Sequence, residues 1–475
     1  MSKFKPYNQK DSRMLIIEPD KLLEEEHPAR IIDGIIEKYI DMSGIYANYS
    51  DTGRPAYHPK LMLKVLLYSY TEGVLSCRNM YKNVKYRADY KYLTGGDIPD
   101  FRTLNIFRRK NLKVLPKIFT QVVCLCDELD MIDFDNLAID GQKIQANANY
   151  RKSYTKESLE KRYEKIKKGL EKLLSKDLEE MDKKYQEKHK ERITKLEKEK
   201  KKIEDLKEVF DEIEEDDDNN DKNKRINMTD KDAKVMTHKD RTKKPSYNHL
   251  SAVDGKYGVT CAVKTKDTID DSYDLLDMLE RAKANLKKDF NKVLADSAYI
   301  RDELYPELEQ REEEFYIPDT FKKRSEKNKY DKSNFKMINK KYLKCPEGKK
   351  LKREGNSRIR GIKYTRYKGI NCKDCKNKEK CTNGKNRYVY LSNYDKAKTK
   401  MRKKLNSLEG KEIYMKRQGI VESSNGNDQK NIGWKQHLLR SLFKAAKEFI
   451  LIRTGSNLKK IIKYKPRECL NLLGV

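Results

Sequence analysis

Three carboxylates, remote from one another in the chain, are the residues best placed to do chemistry. Asp140 ends the apolar run Leu137-Ala138-Ile139, and Asp296 ends Val293-Leu294-Ala295. Each pattern reads as a buried strand that delivers an acid at its end. A buried carboxylate is costly unless paired, and a metal ion is the usual partner. Gly141, next to the first acid, allows backbone or substrate to come close. Glu422 follows Ile420-Val421 near what reads as the start of a later helix. If the strands are neighbours and the helix packs on them, the three acids converge. They can then hold two divalent cations that activate a nucleophilic oxygen and stabilise the leaving oxygen of a phosphodiester. Hard oxygen ligands suit Mg²⁺, with Mn²⁺ as a substitute. The chain offers no better site. It has no glycine-rich phosphate loop and no nucleophile elbow. His27, His58, His189, His238, His249 and His437 lie far apart without ligand spacing.

A second constellation is Cys345, Cys372, Cys375 and Cys381. The Cys-Xaa-Xaa-Cys pair makes a chelating turn, and four thiolates suit a tetrahedral structural Zn²⁺. Reduced free thiols, or a redox pair at Cys372 and Cys375, are the alternatives. Cys124, Cys126 and Cys261 sit in apolar runs and read as buried thiols.

These residues need elements to hold them. Residues 1–130 read as a helical domain. Ile31, Ile32, Ile35, Ile36 and Ile40 follow helical spacing, and a second helix runs from Pro59 to Tyr70. Ser76 is placed to cap a helix over Cys77–Lys85, and Asp100 leads into a basic helix carrying Arg102, Arg108, Arg109 and Lys110. Residues 131–153 hold the Asp140 strand. From Tyr154 to Phe210 the chain is mostly Lys and Glu, with Leu159, Tyr163, Ile166, Leu170, Ile193, Leu196 and Ile203 at three-four spacing. That is coiled-coil spacing. It makes either one helix on the order of 80 Å long or a folded-back hairpin. The acidic run Asp211–Asp218, with Asn219 and Asn220, reads as a linker, so the whole insertion spans 154–240. Residues 241–318 return to α and β patterns. Leu250–Val253 and Val259–Val263 pair as strands around Asp254–Gly258, and a helix is expected over Arg301–Gln310. Residues 319–410 are basic and hold the cysteines. Residues 411–475 are helical and carry Glu422.

The chain has 475 residues, 36% hydrophobic and 39% charged, with a net charge of +31. Such an excess favours a polyanionic partner, nucleic acid above all. Arg102, Arg108, Arg109, Lys143, Lys435 and Arg440 are candidates for phosphate contact. Trp434 reads as core. No stretch is long and apolar enough to span a bilayer, and Met-Ser-Lys-Phe-Lys-Pro at the start is no signal core. A protein of the cytoplasm, without membrane partner, is expected.

Ala138–Lys143, Leu294–Tyr299 and Val421-Glu422-Ser423 resemble the three acidic motifs of bacterial insertion-sequence transposases of the DDE type. Tyr57–Leu63, Gly73–Arg78 and Pro99–Thr103 resemble the helical N-terminal domain of those proteins, and Tyr247–Asp254 resembles the strand after the first acid. The resemblance implies an α/β, ribonuclease-H-like catalytic core with an all-α N-terminal DNA-binding domain, a coiled-coil-like insertion and a zinc-ribbon-like insertion. It implies Asp140, Asp296 and Glu422 as catalytic ligands of two Mg²⁺ ions. It also implies cleavage at transposon ends by water, then strand transfer by the freed 3′ hydroxyl. The partners would be double-stranded DNA, as terminal inverted repeats and target, and a second copy of the chain, with the protein acting at the bacterial nucleoid. The coil is expected to be a dimerisation arm. Relatives carry Tyr, Arg, Glu and Lys separated by two, three and six residues. Here Tyr414, Arg417, Glu422 and Lys430 are separated by two, four and seven, with Arg417 and Lys430 as DNA contacts. A catalytically inactive DNA-binding derivative and a nuclease that cuts without joining are the rival readings.

Overall fold

A computed structural model describes residues 18–50, 55–176, 182–216, 225–319, 328–359 and 362–474. The first six residues and 217–220, the end of the acidic run with its two asparagines, lie outside the described residues. Residues up to Val122 and from Leu451 onward form one compact unit, and Val123–Ile450 form the other. The C-terminal stretch beyond Leu451 therefore groups with the N-terminal helices, not with the sheet as the sequence suggests.

The first unit is built from α1 (Pro28–Gly34), which runs on as a π-helical turn over Ile35–Tyr39, α2 (Pro59–Thr71), α3 (Cys77–Tyr86), α4 (Ala88–Thr94) and α5 (Phe101–Lys110). Proline at the first helical position costs no hydrogen bond and pre-sets φ. In both α1 and α2 a histidine precedes it as N-cap: His27 accepts from the Ala29 N–H and His58 from the Lys60 N–H. Asp100 caps α5, accepting from Thr103 N–H at 2.7 Å. Ser76, by contrast, occupies the N-cap of α3 without a side-chain capping bond. Ile31, Ile32, Leu63, Leu66, Leu67 and Tyr70 are buried here. Gly455 packs so close that a Cβ there would stand 2.8 Å from the Tyr70 carbonyl carbon.

The second unit centres on a sheet of β1 (Asn136–Gln145), β2 (Lys234–Thr237), β3 (Lys243–Asp254), β4 (Thr260–Lys266), β5 (Lys292–Leu294) and β6 (Glu314–Tyr316). β1 lies between antiparallel β3 and parallel β5. β6 extends the sheet parallel to β5, while β4 and β2 pair antiparallel with different stretches of β3. The β3–β4 hairpin turns where its sequence predicts, with Gly258 at φ +70°. The helix expected over Arg301–Gln310 is shorter: a 3₁₀ turn at Asp302–Leu304, then one α turn at Tyr305–Leu308.

Between β1 and β2 the chain forms α6 (Lys156–Leu174) and α7 (Lys183–Asp216), which pack together as a hairpin. Leu159, Ile166 and Leu170 close against Ile203, Leu206 and Phe210. Arg162–Glu199 and Tyr163–Glu204 bond across the pair at 2.7 and 3.0 Å. The apolar seam is thus satisfied within one chain, which removes the ground for reading it as a dimerisation surface.

After β6 comes a second antiparallel sheet, β7 (Lys336–Asn339), β8 (Tyr342–Lys344), β9 (Lys350–Ile359), β10 (Ile362–Gly369) and β11 (Tyr388–Ser392). Phe335, Leu343, Leu351, Tyr367 and Val389 are its small core. Then follow α8 (Asp395–Asn406), α9 (Leu408–Gly426) and α10 (Leu442–Tyr464). Among the described residues no helix is long and apolar enough to cross a membrane.

Candidate active site

The register of the parallel pair decides where the first two acids stand. Asn136, Leu137 and Ala138 pair with Lys292, Val293 and Leu294. Continued by two residues, the same offset sets Asp140 beside Asp296. Asp296 leaves its strand as a cap, accepting from Ala298 N–H at 2.8 Å. Gly141 is closely packed: a Cβ there would come 3.0 Å from Leu250 Cδ2 and 3.2 Å from the Tyr299 hydroxyl, so a larger residue would have to displace them.

The helix that brings the third acid begins earlier than its sequence suggests. Gly419 reads as a start, yet α9 is already helical from Leu408 and carries Glu422 near its C-terminal end. Its apolar face explains the placement. Ile413 and Val421, with Tyr414 and Ile420, pack on Ala138, Leu294 and Tyr316 of β1, β5 and β6. Two polar residues of α9 then reach Asp140. Arg417 Nη2 donates to Asp140 Oδ1 at 2.9 Å, and Asn425 Nδ2 donates to Asp140 Oδ2 at 3.0 Å. The same Arg417 nitrogen stands 3.9 Å from Asp296 Oδ2. The two aspartates therefore share one guanidinium. Glu422 lies between Arg417 and Asn425 on the helix and accepts from Gln418 at 3.2 Å.

Burial pushes the Asp140 carboxyl above the usual carboxylate range, the Arg417 charge opposes that, and Asp296 adds to it. Such acids welcome positive charge.

Helical geometry continues beyond Gly426 as a π-turn over Asn427–Asn431. A π-turn takes one extra residue per turn. It absorbs the offset between Glu422 and Lys430, so both face one cleft. This cleft, of about 760 Å³, is lined by Asp140, Glu422, Asn425, Lys143, Lys430 and Lys435, and by Lys239 and Lys244 of the β2–β3 segment. Behind it Gln142, two residues past Asp140 on β1, donates to the buried Asp428 at 2.7 Å.

Of the basic residues singled out in sequence, Lys143, Lys430 and Lys435 reach this cleft, and Lys143 Nζ also donates to the Thr237 carbonyl. Arg102 and Arg109 are exposed on α5. Arg108 is not available to a phosphate. It is 4% exposed, with its guanidinium held by the Tyr70 hydroxyl, the Leu75 carbonyl and Asn105. It shares the inward face of α5 with Leu104, four residues earlier, a spacing that could have signalled this. Arg417 likewise faces carboxylates rather than open solvent. Trp434 is core, as expected. Asn425 and Asp428 carry no local pattern, and Gln142, though inside the Ala138–Lys143 motif, has no role legible there. Nor is the meeting of His249 and His437 legible, whose Nε2 atoms stand 2.9 Å apart, with Glu448 on His437 Nδ1 at 3.2 Å.

Cys345, Cys372, Cys375 and Cys381 all line one small pocket of the second sheet. The Cys345 sulfur accepts from Lys349 N–H at 3.2 Å. A Cβ on Gly369 would collide with Cys372 Sγ. Burial, and then the neighbouring Cys372, Cys345 and Cys375, push the Cys381 thiol up. Among the described residues no three His, Cys, Asp or Glu side chains converge on a single ion, and this holds for Asp140, Asp296 and Glu422 as it does for the four cysteines. Cys126 and Cys261 are fully buried; Cys124 is half-buried.

Two family models match the chain. A transposase domain (DUF772) covers residues 17–110, and a transposase DDE domain covers residues 344–462. The second spans the four cysteines and Glu422. No match is found among curated proteins or solved structures. With a transposase domain model over its N-terminal helices and a DDE domain model through Glu422, the chain carries the two domains of an insertion-sequence transposase of the DDE type, which supports DNA transposition as its function.

Proposed function

We propose that Asp140, Asp296 and Glu422 hold two divalent metal ions, Mg²⁺ or Mn²⁺, and catalyse both cleavage at transposon ends and strand transfer. The single observation that carries this is the shared guanidinium: Asp140 and Asp296 both lie within reach of Arg417 Nη2. Two acids that gather around one positive charge are a donor set that fits hard cations. Bound there, the ions would polarise the scissile phosphate and the attacking oxygen. The chain itself does the rest. Asn425 orients Asp140. Arg417 neutralises the two carboxylates with the charge that bound cations would otherwise supply. Lys143, Lys430 and Lys435 hold the DNA backbone along the cleft.

The sheet is read as a ribonuclease-H-like core, with β4, β3, β1, β5 and β6 in that order across it. The α6–α7 hairpin and the second sheet are insertions into this core. Zn²⁺ on Cys345, Cys372, Cys375 and Cys381 would give the second sheet the stability that its few buried apolar residues lack. Its support is the common pocket, the amide donated to Cys345 sulfur and the glycine that makes room for Cys372. Two element ends must be handled together, so a homodimer acting on terminal inverted repeats and target DNA at the nucleoid is the working form, its contacts lying outside the hairpin seam.

The test is a strand-transfer assay with Mg²⁺ and labelled element ends. Asp296→Ala should abolish cleavage and joining together. Cleavage without joining in the unaltered protein would favour a nuclease, and unchanged activity in the variant would remove Asp296 from the reaction.

A further inference from the structure

Much of the excess charge sits in one place. Residues 328–406 contain 27 Lys and Arg against 6 Asp and Glu, a net of +21 out of the chain's +31. This is the segment of the second sheet and α8. Between them runs a groove of about 810 Å³.

The arrangement of ion pairs gives the groove its character. Helix α8 carries two basic faces. Lys398, 5% exposed, pairs with Asp302, and Arg402 pairs with the nearly buried Asp319. These pairs fasten the helix to the core on one side. Lys396, Lys400 and Lys403 follow at four and three residues, so they share the other face. All three line the groove and are exposed, joined across it by Lys336 of β7. Lys400 has a distant partner in Glu309 at 3.3 Å. Lys336, Lys396 and Lys403 make no ion pair among the described residues. Thr365 and Asn393 add neutral hydrogen-bonding groups to the walls.

Seven residues of helix span about 10 Å, the axial rise of three phosphate steps along one strand at roughly 3.4 Å each. Lysine is a point-charge partner for phosphate and reads no base. We infer that the groove between the second sheet and α8 is a second, sequence-independent DNA-binding site, which takes the phosphate backbone of duplex DNA on Lys336, Lys396 and Lys403. It is separate from the lysines of the Asp140 cleft. It rests on the chain's being a DNA transposase, but not on the roles proposed for the three acids.

The test uses the full chain and a labelled duplex of arbitrary sequence, longer than one helical turn, with affinity followed between 50 and 200 mM salt. The triple variant Lys336→Ala, Lys396→Ala, Lys403→Ala should lose affinity by about tenfold or more, and its log–log salt slope should fall by about 2.7, ~0.9 for each phosphate contact removed. Its circular dichroism and melting curve should match the parent. A control triple, Lys198→Ala, Lys201→Ala, Lys202→Ala, takes the same charge from the exposed face of α7. It should leave the slope nearly unchanged. Asp296→Asn should bind as the parent does while failing to cleave, which separates this site from the catalytic proposal. Equal losses in both triples, or an unchanged slope in the groove variant, would overturn the inference. So would a groove variant that loses single-stranded RNA but keeps duplex DNA.

Discussion

Replacing Arg417 with methionine keeps much of the side-chain volume and removes the charge shared by Asp140 and Asp296. Arg417 is 15% and Asp140 21% exposed, and they meet at 2.9 Å. Breaking a fully buried pair costs about 3–5 kcal/mol. With both partners partly solvated the expected loss is about 2–3 kcal/mol. The loss depends on pH. Burial already raises the Asp140 pKa in the folded protein, and removal of Arg417 raises it further. A carboxyl whose folded pKa is raised favours the folded state while protonated. That contribution is present below the unfolded pKa, near 3.9, and is lost as pH rises through the folded value. Urea unfolding without divalent ions should therefore show R417M close to the parent at acid pH and about 2–3 kcal/mol weaker at neutral pH. Saturating Mg²⁺ at neutral pH should recover most of the difference, because cations replace the lost charge. An equal loss at both pH values would refute the electrostatic reasoning. A loss at neutral pH that Mg²⁺ leaves untouched would refute the cation site.

Other perturbations separate the parts of the account. Gln142→Leu strips the buried Asp428 of its 2.7 Å donor; it should cost about 1–3 kcal/mol in unfolding and raise the Mg²⁺ concentration needed for half-maximal cleavage. Gly369→Ala places a methyl against Cys372 Sγ; with zinc on the four thiols as proposed, it should lower the zinc content measured by elemental analysis, Cys372→Ser should do so without the steric conflict, and a parent protein without zinc would refute that proposal. Ile203→Ala should destabilise the hairpin by about 2–4 kcal/mol, read by hydrogen exchange. Sedimentation should show the same assembly state as the parent, since the seam is closed within one chain.

What could be read in the sequence is what is locally patterned. Asp140 and Asp296 each end a run of apolar residues, and the runs form adjacent parallel strands. The spacing of 154–210 announces helix but leaves one long helix and a folded-back hairpin open; the packing of Leu159, Ile166 and Leu170 on Ile203, Leu206 and Phe210 decides for the hairpin. Glu422 and its helix are both legible, but not where that helix begins. Gly419 looks like a break, and only the packing of Ile413 and Val421 on the sheet carries the helix through it. Similarly, the one-residue offset to Lys430 looks like a lost register until a π-turn absorbs it. Arg108 looks like a surface charge because its partners, Tyr70 and Leu75, come from elsewhere in the chain. Asn425 and Gln142 gain their roles only from side chains almost 300 residues distant.

Divalent-ion binding by the purified chain is the measurement closest to the centre of this account. Titration with Mn²⁺, followed by its paramagnetic resonance signal, should give two bound ions per chain at neutral pH. Asp140→Asn, Asp296→Asn and Glu422→Gln should each lose at least one ion without unfolding the protein. Binding that is indifferent to all three substitutions would contradict the proposed site, and the reaction would then have to be sought elsewhere on the chain.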